Sequence, residues 1–274
     1  MAKYKIVASD LDGTLFDSNG NISSENLLAI KALYEKGVYF VPSTGRSLSE
    51  IPESLTDNPY IRYYIYSNGS VVYDKKTQSR SLLCMSNDLI NSVLDIVCSY
   101  DTHITVRQNG KTYVEFSKQG EEKHRYFNLC RAHKDVVNNF STSVPEFVKF
   151  SRTLEDTESV AVFFHSNDEL SACRKRLAVL SGIRIVDSWE YNLELFSSDA
   201  GKGNALKLLS NMIGVDVKSA IAVGDSDNDT SMIREAGLGL AVKNACAPLR
   251  NEADEVICSS DEHCLDYILS HYID

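Results

Sequence analysis

An apolar run, Ile6-Val7-Ala8, flanked by Lys5 and Ser9, leads straight into Asp10-Leu11-Asp12-Gly13-Thr14-Leu15. Residues 5–9 suit a buried strand. On an extended chain, positions i and i+2 face the same side, so Asp10 and Asp12 are expected to share one space at the strand's C-terminal edge. Gly13 lets the chain turn sharply there. Like charges this close repel, and they are tolerated where a cation sits between them or where they share a proton. Carboxyls in different environments can also divide labour, one attacking and the other moving protons. Taken alone, Asp-Leu-Asp-Gly-Thr also suits a plain turn, and the rest of the chain decides between these two.

The pattern recurs downstream. Ser23-Ser24-Glu25-Asn26 opens a helix that ends near Lys36-Gly37. Residues 38–41 form a short strand ending in Pro42-Ser43-Thr44-Gly45-Arg46, and residues 47–55 are expected to be helical. Residues 63–66 make a third strand ending in Ser67-Asn68-Gly69, with 71–73 as its hairpin partner. From Gly201 the same style resumes: Lys202 opens a helix, and residues 220–223 run into Gly224-Asp225-Ser226-Asp227-Asn228-Asp229. Strand, polar loop and helix in alternation predict a parallel sheet covered on both faces, with ligands at the carboxyl ends of the strands.

The middle of the chain differs. Helices are expected at 87–100, 121–132 and 168–180. Strands are expected on either side of Asn109-Gly110, a strong hairpin signal, and at 160–164, 183–186 and 191–196, with 146–151 extended. This mixture predicts an inserted α+β domain over 84–192, an antiparallel sheet with helices on one face, between core segments 1–83 and 193–274. The fold class is therefore α/β: a Rossmann-like parallel-sheet core with an inserted α+β cap domain.

Composition narrows function. A net charge of -10 argues against a nucleic-acid partner, which needs clustered Lys and Arg, so an anion site must be built locally. Seven scattered cysteines without a C-x-x-C pair suit reduced thiols rather than a disulfide framework or zinc site. No apolar stretch reaches membrane-span length, and a cytoplasmic address with no membrane partner is expected. Oligomeric state is not readable.

The loops together supply Asp10 and Asp12, Thr44, Lys202, and Asp225 with Asn228 and Asp229. This set and its order resemble the haloacid dehalogenase superfamily, and within it the Cof-type phosphatases (subclass IIB), which carry a large α+β cap in the C2 position. The matching stretches are Asp10-Leu11-Asp12-Gly13-Thr14-Leu15, Ser43-Thr44-Gly45-Arg46, Ser67-Asn68-Gly69, Gly201-Lys202-Gly203 and Gly224-Asp225-Ser226-Asp227-Asn228-Asp229 with Met232. Gly237 to Ala245 and Ala253-Asp254 also fit. No Walker motif is present, and a strand, not a helix, precedes the acidic loop, unlike a calcium-binding EF-hand.

The resemblance implies an Mg2+-dependent phosphatase acting on a small phosphorylated metabolite. Asp10 would carry the phosphoryl group as an aspartyl phosphate, and Asp12 would act as acid and base. Mg2+ would be held by Asp10, the backbone carbonyl of Asp12 and Asp225. Thr44 and Lys202 would hold the transferring oxygens, Gly45, Arg46 and Asn228 would contact substrate, and Asp229 would orient Lys202 or the metal shell. Sugar phosphates are the expected substrates, followed by pyridoxal phosphate and flavin or nucleotide monophosphates. Arg107, Tyr113, His124, Arg125 and Lys149 are candidate specificity residues in the cap. A phosphosugar mutase and a non-catalytic phosphate-ligand binding protein are the competing functions. Asp12 argues against a dehalogenase, which lacks this carboxylate in the family pattern.

Overall fold

In the computed structural model, which describes residues 3–186 and 190–273, Ile6–Ser9 is a strand buried on every residue. It pairs in parallel with Tyr39–Pro42 on one side and Ala220–Gly224 on the other, and Leu238–Ala241 and Glu255–Val256 continue the sheet. Strands covered on both faces read as continuous apolar runs, which is why these short segments could be located by hydropathy. An isolated parallel bridge, Ser43 to Ile65, brings in Tyr63–Tyr66, which turns through Ser67 and Asn68, both at positive φ, into antiparallel Val71–Asp74. Helix Ser24–Glu35 starts where expected: the Ser23 hydroxyl accepts the Asn26 amide and satisfies one of the helix's unpaired first-turn donors.

The chain divides into two compact units. The first comprises Met1–Gly45, Pro52–Ser81 and Ala200–Asp274, and the second Arg46–Ile51 and Leu82–Asp199. The expected boundary at 192 falls within strand Asn192–Ser197, which pairs with Ser159–Phe164 and Ile183–Val186 inside the second unit.

The second unit has a six-stranded sheet in the order Ile183–Val186, Asn192–Ser197, Ser159–Phe164, Thr102–Gln108, Lys111–Glu115, Ser141–Val144. It is antiparallel except for its last pair. Asn109 and Gly110 both take positive φ in the tight turn between Thr102–Gln108 and Lys111–Glu115. Alternation along the strands sorts side chains to two faces. Ile104, Val106, Val160, Val162, Leu193 and Leu195 join the cores of helices Asn87–Val97 and Asn167–Leu177. Val114, Ala161 and Phe163 meet Phe127, Leu129 and Val137 on the other face. Helices therefore cover both faces, correcting the one-faced arrangement expected.

Three segment assignments also need correction. The 47–55 helix is a 3-10 turn, Leu48–Glu50, and a separate single turn, Glu53–Thr56. Pro52 lies between them, and the residue before a proline is driven out of the helical region; Ile51 is extended. The 121–132 helix is two helices, Glu121–Tyr126 and Arg131–Asn139, parted by Asn128 at φ 54°. Residues 146–151, expected extended, hold helix Phe147–Ser151, and the strand lies just before it at Ser141–Val144.

Candidate active site

Parallel register decides which residues meet. Ser9 pairs with Val223 on one side and Pro42 on the other, so Asp10, Asp225 and Thr44 leave three adjacent strands at the same edge. The Asp10 amide extends the ladder to the Val223 carbonyl at 3.0 Å, and Ser43 N–H reaches the Ser9 carbonyl at 2.8 Å. Asp10 is buried, whereas Asp12 is exposed. Between and beyond them the backbone makes a tight turn, Leu11–Leu15, that needs φ 77° at Gly13. A Cβ at Gly13 would stand 2.6 Å from Asp225 Oδ2, so glycine is required for space as well as for φ. Asn244 Nδ2 donates to the Gly13 carbonyl at 2.7 Å, and Cys264 Sγ contacts the Thr14 carbonyl at 3.2 Å. Those contacts hold the turn from outside.

Lys202 is the first residue of helix Lys202–Ile213, and its whole side chain is buried. Nζ donates to Asp10 Oδ1 and to Asp229 Oδ1, both at 2.6 Å. Asp229 Oδ2 accepts the amides of Asp225 and Ser226, at 3.0 and 3.1 Å. Asp229 thus fixes the ammonium with one oxygen and the acidic loop with the other. Asp225 Oδ1 has Thr14 Oγ1 at 3.5 Å, a long contact. Gly69 runs so close to Gly201 that a Cβ there would lie 2.3 Å from its carbonyl carbon, which packs the Ser67-Asn68-Gly69 turn against the backbone that positions Lys202.

Ligand oxygens of Asp10, Asp225 and Asp229 all lie within 4.8 Å of one another. Three carboxylates facing one ammonium leave an excess of two negative charges in a buried space. Burial, opposed by Lys202 and reinforced by the Asp229 and Asp225 charges, drives the Asp10 carboxyl well above its ordinary range. Burial and the Asp229 charge lift Asp225 to about 6. For Lys202, burial favours the neutral amine, but the Asp10 and Asp229 charges outweigh it and hold the ammonium above its ordinary range. An all-oxygen, electron-rich set of this kind fits a hard divalent cation, which would return Asp10 and Asp225 to their charged forms.

Thr44 is buried, and the Asn68 amide donates to its carbonyl at 3.0 Å. Asn228 Nδ2 donates to Asn68 Oδ1 at 2.9 Å, and its own Oδ1 accepts from Ser226 Oγ at 2.7 Å. Gly45 sits close to Asn68, with room for a Cβ only 3.1 Å from Oδ1. Asn68 therefore links the Thr44 and Asn228 loops, a role that sequence reasoning did not assign it. Its signal was present in a Ser-Asn-Gly turn following a third strand. Arg46 belongs to the second unit, where Nη1 donates to the Glu50 carbonyl.

The candidate specificity residues divide. Arg107 is buried and paired with Glu50 at 3.3 Å, Tyr113 packs on Phe150 with ring centres 4.8 Å apart, and His124 is buried among other rings. Arg125 and Lys149 are exposed.

A family model described as haloacid dehalogenase-like hydrolase matches residues 7–269. The phosphatase YwpJ of Bacillus subtilis (strain 168) is 26% identical over 98% of this chain and 100% of its own. YcsE of the same organism, a 5-amino-6-(5-phospho-D-ribitylamino)uracil phosphatase, is 28% identical over 98% of this chain and 96% of its own. Among solved structures, a sugar phosphatase of haloacid dehalogenase subclass IIB superposes with a TM-score of 0.78 at 19% identity, covering 98% of both chains, which bears on the fold alone. No helix among the described residues is long and apolar enough to cross a membrane. With a parallel core sheet gathering these loops and a family match along nearly its whole length, the chain belongs to the haloacid dehalogenase-like hydrolases, as an enzyme of the phosphomonoester-hydrolase type.

Proposed function

We propose that this enzyme is an Mg2+-dependent phosphatase that hydrolyses small phosphomonoesters, sugar phosphates foremost, with the phosphoryl group carried transiently on Asp10. The observation that carries the proposal is the buried Lys202 ammonium, held 2.6 Å from both Asp10 and Asp229 at the edge where Asp225 also emerges. Asp10, the Asp12 backbone carbonyl and Asp225 would hold the Mg2+, which supplies positive charge against the anionic substrate.

A carboxylate oxygen of Asp10 forms the new bond to phosphorus as the ester P–O bond breaks, giving an acyl phosphate. Asp12, exposed beside the turn, gives its proton to the departing alkoxide and later takes one from the water that attacks phosphorus. That second attack breaks the acyl P–O bond, releases phosphate and regenerates Asp10. Thr44 and Lys202 hold the transferring oxygens, and Lys202 offsets the charge that develops on them. Arg46 and the loops at Gly45 and Asn228 meet the substrate. The inserted α+β region supplies the residues that select the alcohol. The YcsE relative, named for a ribityl phosphate borne on a pyrimidine, supports testing phosphorylated polyols beside sugars.

The experiment is phosphate release across sugar phosphates, a ribityl phosphate, nucleotides, pyridoxal phosphate and p-nitrophenyl phosphate, with Mg2+ and with EDTA. Release that EDTA abolishes is expected, fastest on sugar or polyol phosphates. No release from any member by folded, Mg2+-loaded protein would overturn the proposal.

A further inference from the structure

Two buried histidines of the second unit, His124 and His133, meet a third, His103. His103 is on strand Thr102–Gln108, His124 in helix Glu121–Tyr126 and His133 in helix Arg131–Asn139. Their exposures are 0%, 1% and 7%. The His103 ring meets that of His124 at 6.0 Å and that of His133 at 6.2 Å, both edge-on. Phe127 and Phe163 stand 6.0 and 6.5 Å from His103, and His133 packs 4.3 Å from Phe163. Among the described residues, both ring nitrogens of His103, both of His124 and Nε2 of His133 have no hydrogen-bond partner. Buried polar atoms are normally paired, and an orphaned one is costly, far more so once charged.

A metal does not account for this arrangement. Three imidazoles on one tetrahedral ion, with metal–nitrogen bonds of about 2.0–2.1 Å, would hold their ring centres about 5.2 Å apart, and each would give its far N–H to an acceptor. His103 stands wider than that from both of the others, and among the described residues neither His103 nor His124 has such an acceptor. Among the described residues, the group whose ligand atoms already converge is Asp10, Asp225 and Asp229. The trio is packed as neutral aromatic rings.

We propose that the trio is an acid-sensitive latch: neutral imidazoles seat helices Glu121–Tyr126 and Arg131–Asn139 on the sheet, and protonation releases them. Burial pushes the His103 imidazole down to about 3, holds His133 well below its ordinary value with help from the His103 and Arg107 charges, and lowers His124. The charged groups facing the trio oppose an added proton from three elements. Lys118, beside the His103 strand, donates to the Thr102 carbonyl and lies over the Phe127 ring. Arg107 acts on His133 from the sheet, and Lys134 acts on His124 from its own helix. Glu121 pulls the other way on His124, but it is paired with Lys134 at 3.0 Å. Arg107 and Lys118 are themselves countered, by Glu50 at 3.3 Å and by Asp101 and Glu115 at 3.6 and 3.9 Å.

The folded values lie below the unfolded one, so the latch is fully set above pH about 6.5 and weakens as pH falls. His103 shifts the equilibrium by up to tenfold per pH unit, about 30-fold at pH 5, and His133 and His124 add to it in the same direction.

The test is hydrogen exchange by mass spectrometry on the full chain from pH 7.5 to 4.8, corrected for intrinsic rates, beside histidine nitrogen-15 NMR. Peptides covering 102–108, 121–139 and 159–164 should lose protection with a slope of more than one proton, while 6–9 and 220–224 keep theirs. The three imidazoles should stay neutral at pH 6 and protonate with the opening. His133→Phe, which keeps the packing on Phe163, should lower the proton count by about one; the wild-type NMR titration needs no variant to fold. Protection unchanged down to pH 5, independent titration of the three near 6.5, or one equivalent of Zn2+ bound by the trio would each overturn the latch. None of these readouts depends on phosphatase activity.

Discussion

Asp229→Asn tests whether one buried carboxylate holds the site together. Asp229 is fully buried, with Lys202 Nζ on Oδ1 and the Asp225 and Ser226 amides on Oδ2. An asparagine offers a single acceptor oxygen, so its NH2 must face either the ammonium or the two backbone donors. Losing a hydrogen bond to a charged group costs about 1.5–3 kcal/mol, and leaving a donor unsatisfied about 1–3 kcal/mol more. Part of this is recovered, because the Asp229 charge is one of the causes that raise Asp225 and Asp10. A net loss of about 3 kcal/mol follows, and at about 2–4 °C per kcal/mol for a chain of this size the melting temperature should fall by about 6–12 °C. With its second anchor gone Lys202 is less well aimed, and kcat should drop by about tenfold to a hundredfold. Thermal denaturation and steady-state kinetics on the same preparation measure both. A melting shift under about 2 °C with kcat intact would refute the reasoning.

Other substitutions separate the remaining parts of the account. Asp10→Asn should lower turnover by about 10^3-fold or more while the circular dichroism spectrum stays that of the wild type; retained activity would remove Asp10 as nucleophile. Gly13→Ala forces a Cβ to within 2.6 Å of Asp225 Oδ2 at φ 77°, so it should cost about 1–3 kcal/mol in urea denaturation and depress kcat as well. Mg2+ should raise the melting temperature and EDTA reverse the rise, since the excess of carboxylates at Asp10, Asp225 and Asp229 is relieved by a cation that binds only the folded site. In Glu50, burial opposes the charged form, but Arg107, the Thr112 hydroxyl and the Ser47 amide outweigh it and hold the carboxyl below its ordinary 4.5. Its contribution is complete above that pH and lost as pH falls through the lower folded value. Glu50→Gln should cost about 3 kcal/mol by leaving Arg107 buried without its partner and should flatten the acid limb of a urea-midpoint profile below pH about 4.5, a window lower than that of the histidine latch.

Much of the core was legible because local signals and tertiary demands agree there. The strands Ile6–Ser9, Tyr63–Tyr66 and Ala220–Gly224 are apolar runs bounded by polar turns, and Ser23 announces its helix by capping it. Where sequence reasoning failed, a single residue outvoted the pattern around it. Pro52 split an expected helix into two single turns, and Asn128 broke one helical run into two by taking positive φ. The segment at Phe147–Ser151 is too short for period two and period 3.6 to be told apart, and its placement depends on Phe147 joining the second unit's core. The site followed the same rule. Lys202 could be found from its motif, and the Ser67-Asn68-Gly69 turn after a third strand pointed to Asn68, but its pairing with Asn228 spans 160 positions and had no local signal. Arg107 was a candidate on polarity alone, and its buried pairing with Glu50, 57 positions away, had no local signal.

A trapped intermediate would show whether Asp10 carries the phosphoryl group. Wild-type enzyme would be mixed with Mg2+ and its best substrate, quenched within one turnover and treated with borohydride, which reduces an acyl phosphate to an alcohol. Peptide mass spectrometry would then read position 10. Homoserine is expected at residue 10, dependent on both substrate and Mg2+ and missing from Asp10→Asn. Turnover that proceeds with no reduced residue, or with the reduction at Asp12, Asp225 or Asp229, would contradict it.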